Sequence, residues 1–286
     1  MNNKYQIFMR RNMRKIFAKL QKKQDKIAVL RLSGIIGSAG MFKKGMSIEE
    51  LDDDIEKAFS ISSVKAVALQ INSPGGSPVQ SELIYKRIRS LSEEKNIPVY
   101  TFIEDVAASG GYWLACAGDE IYASVSSVVG SIGVISSGFG FVEAIKKIGV
   151  ERRVYTQGAN KSILDPFKEV KEQDIEILLN LQKDVHEAFK DLVRSRRGDK
   201  IKASDEAHLY SGEFYNGIKA CQFGLVDKIG DMRSVMTEKY GKKVKFEKII
   251  KSKGWLKRKI SASSDDLFDN IVNVINDKII WNRYGL

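Results

Sequence analysis

The chain has 286 residues, 43% of them apolar and only 4 of them proline, which excludes a disordered polymer and allows one large domain or two small ones. Its net charge of +11 sits at the ends: residues 1–26 carry nine Lys/Arg against one Asp, and residues 242–259 nine against one Glu. Residues 27–241 are net −3, so the basic ends point to an anionic surface rather than to a basic domain. With no stacking platform or nucleic-acid motif, a membrane surface is expected over nucleic acid; simple solubility is the bland alternative. Cys116 and Cys221 are too few for a disulfide framework or a metal site, and buried free thiols are expected. No stretch of about 18 apolar residues signals a transmembrane helix, and residues 1–26 lack the apolar region of a secretory signal. Ile7, Phe8, Met13, Ile16, Phe17 and Leu20 alternate with Arg and Lys there, as in a basic amphipathic helix or a solvated tail.

In chain order, Ile27–Leu32 reads as a buried strand. Ser47, with Glu50 three residues on, starts a helix to about Phe59. Val64–Ile71 is a second strand, followed by Ser-Pro-Gly-Gly and a helix from about Val79 to Leu91. A third strand spans Pro98–Ile103, a small-residue helix opens near Ser109, and Glu120–Ala123 forms a fourth strand. This alternation predicts a mostly parallel sheet covered by helices. Residues 171–196 predict a long amphipathic helix whose stripe, Ile175, Leu178, Leu179, Leu181, Val185, Phe189, Leu192 and Val193, serves a core or a subunit contact. Residues 1–26 read as a basic extension, 27–240 as the domain, and 241–286 as a basic linker with a helix from Ser264 to about Trp281.

Three places can carry chemistry. Ser109 lies between Ala107-Ala108 and Gly110-Gly111, after a strand and before a helix. Small neighbours and free helix N-terminal amides suit a nucleophile, although a tight strand-to-helix turn has the same pattern. Asn72-Ser73-Pro74-Gly75-Gly76 can aim backbone N–H groups into a cleft, as an oxyanion hole requires, or can be an ordinary turn. Neither His186, within the charged helix, nor His208 lies in a site-like context, so both read as surface or packing residues and a Ser–His–Asp triad is not expected. A lysine is the alternative base, and Lys161 differs from the lysines in charge runs by the apolar residues that follow it.

These residues resemble signal peptide peptidase A and its relatives, Ser–Lys peptidases with a Clp-protease/crotonase-like α/β fold, a spiral of ββα units with a mostly parallel sheet and helices packed outside. The matches run in order: Ser73-Pro74-Gly75-Gly76; Ala108-Ser109-Gly110-Gly111-Tyr112-Trp113; Gly130-Ser131-Ile132-Gly133-Val134; Lys161-Ser162 before Asp165-Pro166-Phe167; and Tyr210-Ser211-Gly212 before Gly224-Leu225-Val226-Asp227. Each is weak alone; five in order across residues 27–230 are specific. The resemblance implies that Ser109 attacks the scissile carbonyl, Lys161 takes its proton, amides of Gly75, Gly76 or Gly110 hold the oxyanion, and Ser131 orients the lysine amine. It implies peptide substrates, signal peptide remnants among them, no cofactor, and a ring- or dome-like homo-oligomer with serine and lysine from neighbouring subunits. Relatives usually carry an N-terminal anchor; here the basic termini are expected to give peripheral membrane contact instead. A free lysine is only about 0.1% neutral near pH 7.4, so such a mechanism needs a site that disfavours the charged form by about 4 kcal/mol. An ion pair between Lys161 and Asp165 would defeat it, and Asp165 is expected to point away. The competing readings are a crotonase-type acyl-CoA enzyme and an inactive oligomeric scaffold.

Overall fold

The β-branched runs become neighbouring parallel strands. The computed structural model describes residues 24–37, 45–201, 206–250 and 280–285. In it β1 (Lys26–Ser33), β2 (Val64–Ser73) and β3 (Val99–Ala108) lie side by side, with β8 (Lys245–Lys248) outside β1. The free edge of β3 is shared: β4 (Glu120–Ala123) pairs with residues 100–103, and β5 (Val128–Gly130) with residues 106–108. β6 (Phe214–Asn216) runs antiparallel to β5, and the short β7 (Lys228–Ile229) pairs with β4.

Side chains alternate across a strand, and both faces of the central strands are apolar because both are covered. Ala28, Leu30, Leu32, Val67, Leu69 and Ile71 face α1 (Ile48–Ser60) and α2 (Pro78–Lys95). Ile27, Val29, Ala66, Ala68 and Phe102 face Met232 and Met236 of the helix Met232–Tyr240. The helix starts follow their caps: Ser47 Oγ accepts the Glu50 amide at 3.4 Å, and Ser77 Oγ accepts that of Gln80 at 3.4 Å, with Pro78 in the first turn.

β3 runs five residues past the expected end at Ile103, through Glu104 and Asp105. Partners on β1 and β2 accompany this: Arg31 Nη2 meets Glu104 Oε2 at 2.7 Å, and Asn72 Nδ2 donates to Asp105 Oδ2 at 2.6 Å. The sheet also runs past residue 240. Residues 245–248, expected within a basic linker, pair with residues 26–29 of β1, and Lys26 Nζ meets Glu247 Oε2 at 2.6 Å. The expected amphipathic segment at residues 1–26 and the helix from Ser264 fall largely outside the described residues.

Past β5 the chain leaves the core. No residue between Gly133 and Gln173 is buried, although α4 (Val142–Lys147) forms within this arm, and it returns through α5 (Glu172–Arg197). The predicted apolar stripe of α5 is seated only towards its C-terminus. Phe189 and Val193 are buried, whereas Leu179 is 56% and Leu181 60% exposed. None of the described helices is long and apolar enough to cross a membrane.

Candidate active site

β3 ends at Ala108, and α3 (Gly110–Ala115) begins two residues later. Ser109 makes the corner with φ 51° and ψ −124°, a left-handed conformation costly for a residue with a Cβ. Its own backbone bonds hold it there: its N–H donates to Gly130 O at 2.9 Å, and its carbonyl accepts from Tyr112 N at 2.9 Å and Trp113 N at 3.1 Å. The half-buried side chain does not cap α3, and Oγ makes no hydrogen bond to a described residue. A strained strand–serine–helix corner presents a hydroxyl clear of its own backbone.

The loop after β2 packs directly on this corner. A register shift past Ile71 sets Ser73 opposite Ala107. Gly75 has φ +105°, and a Cβ there would lie 2.8 Å from both Ala108 O and Ser109 Cβ, so only glycine fits. The loop is fixed from below by Ser73, fully buried, whose Oγ accepts the Gly75 amide at 3.2 Å and donates to Gly34 O at 2.6 Å. Bonds from Ile36 N to Gly75 O and from Ser77 N to Ile36 O, both 2.8 Å, fix it from the side. The Gly75 amide is therefore engaged. The amides of Gly76 and Gly110 donate to no acceptor among the described residues, and they lie close together: a Cβ on Gly110 would be 3.4 Å from Gly76 N.

The third wall is the turn after β5. Gly130 (φ +114°) and Ser131 (φ +50°) are both left-handed. Ser131, 5% exposed, donates its N–H to Glu213 O at 2.7 Å, and its Oγ accepts from Tyr284 Oη at 3.3 Å. The Tyr284 ring stands edge-on to Phe214, with centroids 5.2 Å apart. His186 Nε2 lies 3.2 Å from Ile132 O. Read from the sequence as an ordinary histidine, His186 reaches the rim of the site. No local pattern points to it or to Tyr284, because their partners are 54 and 153 residues away.

Lys161 makes no hydrogen bond to Ser109 within one chain. It is exposed on the arm, where its N–H closes a turn onto Gly158 O at 3.2 Å. Asp165 is committed elsewhere, to Arg152 Nε at 3.2 Å and to the Phe167 amide at 3.1 Å, and forms no ion pair with Lys161. The Arg152 guanidinium also lies 4.7 Å over the Phe167 ring. The arm is tied to α5 where Leu164 N donates to Asp174 Oδ2 at 3.2 Å.

Gly224 and Asp227 of the last motif are structural. Buried Arg197 donates to Gly224 O at 3.0 and 2.7 Å and to Asp227 Oδ2 at 2.7 Å. Burial opposes ionisation of Asp227, but hydrogen bonds from Arg197 and Lys200 outweigh it and hold the carboxyl below its usual range. Cys116 is fully buried, and burial pushes its thiol up to about 12, which removes it as a nucleophile near neutral pH.

The model of Peptidase family S49 matches residues 92–245, which include Ser109, Ser131 and Lys161. Among curated proteins, a putative signal peptide peptidase SppA of Enterococcus faecium is 32% identical over 209 residues, covering 72% of this chain and 60% of that protein. A putative protease of Synechocystis is 30% identical over 207 residues, covering 72% of this chain and 70% of its own length. A Brucella abortus protein titled Na(+)/H(+) antiporter NhaA is 48% identical over 276 residues, or 92% of this chain. The chain spans only 37% of that protein, so most of the antiporter lies outside the match. With more than half of its residues inside the family match, and the strained serine corner among them, the chain belongs to peptidase family S49.

Proposed function

We propose that this chain is a serine endopeptidase in which Ser109 is the nucleophile and Lys161 of a second copy is its general base. Its substrates are short, apolar, unfolded peptides, signal peptide remnants among them. The observation that carries this reading is the strained Ser109 corner beside the two unengaged amides of Gly76 and Gly110. Ser109 Oγ attacks the scissile carbonyl while its proton passes to the lysine nitrogen. The two amides take the developing oxyanion, the lysine returns the proton to the leaving amine, and water then cleaves the acyl-enzyme.

The placement of Lys161 supports a base supplied from a neighbouring chain. The arm is anchored at Asp174 and the Ser131 turn at His186, twelve residues apart on α5, or about 18 Å along the axis at 1.5 Å per residue. A lysine base also needs desolvation, and in one chain Lys161 is exposed. A neighbour covering the arm and the exposed Leu179 and Leu181 supplies that burial. Ser131 Oγ has two acceptor sites, so it can keep its bond from Tyr284 and still orient an arriving lysine nitrogen.

An apolar substrate is supported by Val79 and Leu83, 60% and 40% exposed and one turn apart on α2 just past the glycine loop. It is supported too by the relative titled a putative signal peptide peptidase. The basic segments at 1–26 and 242–259 support peripheral contact with anionic membranes, which co-sedimentation of the full chain with anionic but not neutral liposomes checks.

The direct test is fluorophosphonate labelling and peptide hydrolysis by the assembled protein. Ser109→Ala should abolish labelling, and Ser109→Ala or Lys161→Ala should each lower hydrolysis by roughly 10⁴-fold or more. Co-assembly of the two inactive variants in equal amounts should restore activity at about a quarter of the sites, because random neighbours then pair an intact serine with an intact lysine. Labelling that persists in Ser109→Ala overturns the nucleophile. Failure to recover activity in mixed assemblies overturns the shared site.

A further inference from the structure

We infer that His186 is a positioning residue for the active site: through its hydrogen bond to Ile132 O it holds the Gly130–Ser131–Ile132 turn in register with Ser109. The inference rests on the peptidase reading.

The turn needs holding. Two consecutive left-handed residues, one a serine, do not keep that conformation unaided. Besides the strand pairing of Gly130 and the Tyr284 bond to Ser131 Oγ, three bonds to its main chain stand out. Gly130 O accepts from Ser109 N at 2.9 Å, Ser131 N donates to Glu213 O at 2.7 Å, and Ile132 O accepts from His186 Nε2 at 3.2 Å. The first two tie the turn to the sheet. The third alone comes from a side chain, and it ties the turn to α5.

α5 is firmly placed on this side. His186 shares its inward face with Phe189, Val193 and Arg197, at spacings of three, four and four. Phe189 stacks on Trp113, which follows Ser109 in α3, with centroids 4.9 Å apart. Arg196 donates to Cys116 O and Gly118 O, both at 3.0 Å, just past the end of α3. The helix that backs the nucleophile therefore also carries the donor for the turn beside it. A carbonyl only accepts, so Nε2 carries the hydrogen. Loss of that donor leaves Ile132 O without its partner and lets Ser131 drift relative to Ser109, and a misplacement near 1 Å costs roughly 10²-fold in rate.

The test compares His186→Ala and His186→Gln with wild type and Ser109→Ala, all as the assembled full chain. Glutamine keeps an N–H donor at a similar reach. His186→Ala should lower kcat and the rate of fluorophosphonate labelling by roughly 10- to 100-fold with KM nearly unchanged. His186→Gln should recover most of the loss. Hydrogen exchange should accelerate at the Ser131 amide in His186→Ala while β1, β2 and β3 stay protected. Full activity in His186→Ala, no recovery in a folded His186→Gln, or exchange raised throughout the domain would each overturn the inference. If His186→Ala fails to assemble, the Gln variant decides: wild-type exchange at Ser131 and near-wild-type kcat support the inference, and loss of either overturns it. A wild type that never labels at Ser109 overturns the peptidase reading and this inference with it; labelling equally fast in wild type and His186→Ala overturns this inference alone.

Discussion

Ser109 and Gly75 meet backbone to backbone, and that closeness makes single atoms matter. A methyl group on Gly75 would enter the space of Ala108 O and Ser109 Cβ, at 2.8 Å from each. Gly75→Ala also puts a side chain on a residue at φ +105°, a strain of about 1–3 kcal/mol. The expected outcome is a modest fall in thermal stability with a fall in kcat of roughly 10²-fold or more, because the added atom pushes on the nucleophile. Unfolding and peptide hydrolysis measured on the same preparation separate the two effects. An active Gly75→Ala would show that the loop gives way without moving Ser109. At this scale the sequence was informative: small residues around a serine after a strand have few uses. The engagement of the Gly75 amide by Ser73 was not legible, since it depends on how the loop turns back on itself.

At the scale of elements, α5 is fastened at its C-terminal end by the pair of Arg197 and Asp227. Arg197 is only 2% exposed, so removing its partner leaves a buried charge. Asp227→Asn should destabilise the domain by about 3–5 kcal/mol at neutral pH, measured by urea unfolding. The pH dependence has a definite sign. The Asp227 carboxyl titrates below its usual 3.8 in the folded state, so its contribution is fully present above the unfolded value and is lost as pH falls through the lower folded one. The gap between wild type and Asp227→Asn should therefore be widest near neutrality and shrink below pH 4 or so. A gap that stays constant down to pH 2 or so would rule out this role for the carboxylate. The Gly224–Asp227 motif thus anchors a helix rather than taking part in chemistry, a division of labour that motif order alone does not reveal. The opposite end of α5 keeps its apolar stripe exposed, which periodicity foretold only as core or subunit contact.

At the scale of the molecule, arm and sheet are two differently built regions. The central strands are buried on both faces, whereas no residue of 133–173 is buried as a whole, yet this arm carries Lys161. If a second copy covers the arm and the front of α5, Leu181→Asp should abolish assembly and activity together. The fold of the single chain should change by within about 0.5 kcal/mol, since Leu181 is 60% exposed. Light scattering, hydrolysis and circular dichroism of this variant check the three parts. An assembled and active Leu181→Asp would remove that face from the interface.

By itself the sequence determined the alternation of strands and helices, the cap at Ser47, and the serine corner after β3. Each of these is a local matter: burial on one or both faces sets the apolar period, and backbone geometry selects glycine or a capping side chain within a few residues. Tertiary structure decided what lies far apart in the chain. It paired β8 with β1, extended β3 through cross-strand partners, set His186 on the Ser131 turn and left Lys161 exposed on the arm with no bond to its own serine. Those outcomes depend on strand register and on the face a helix turns towards the sheet, which are settled only when the whole core packs.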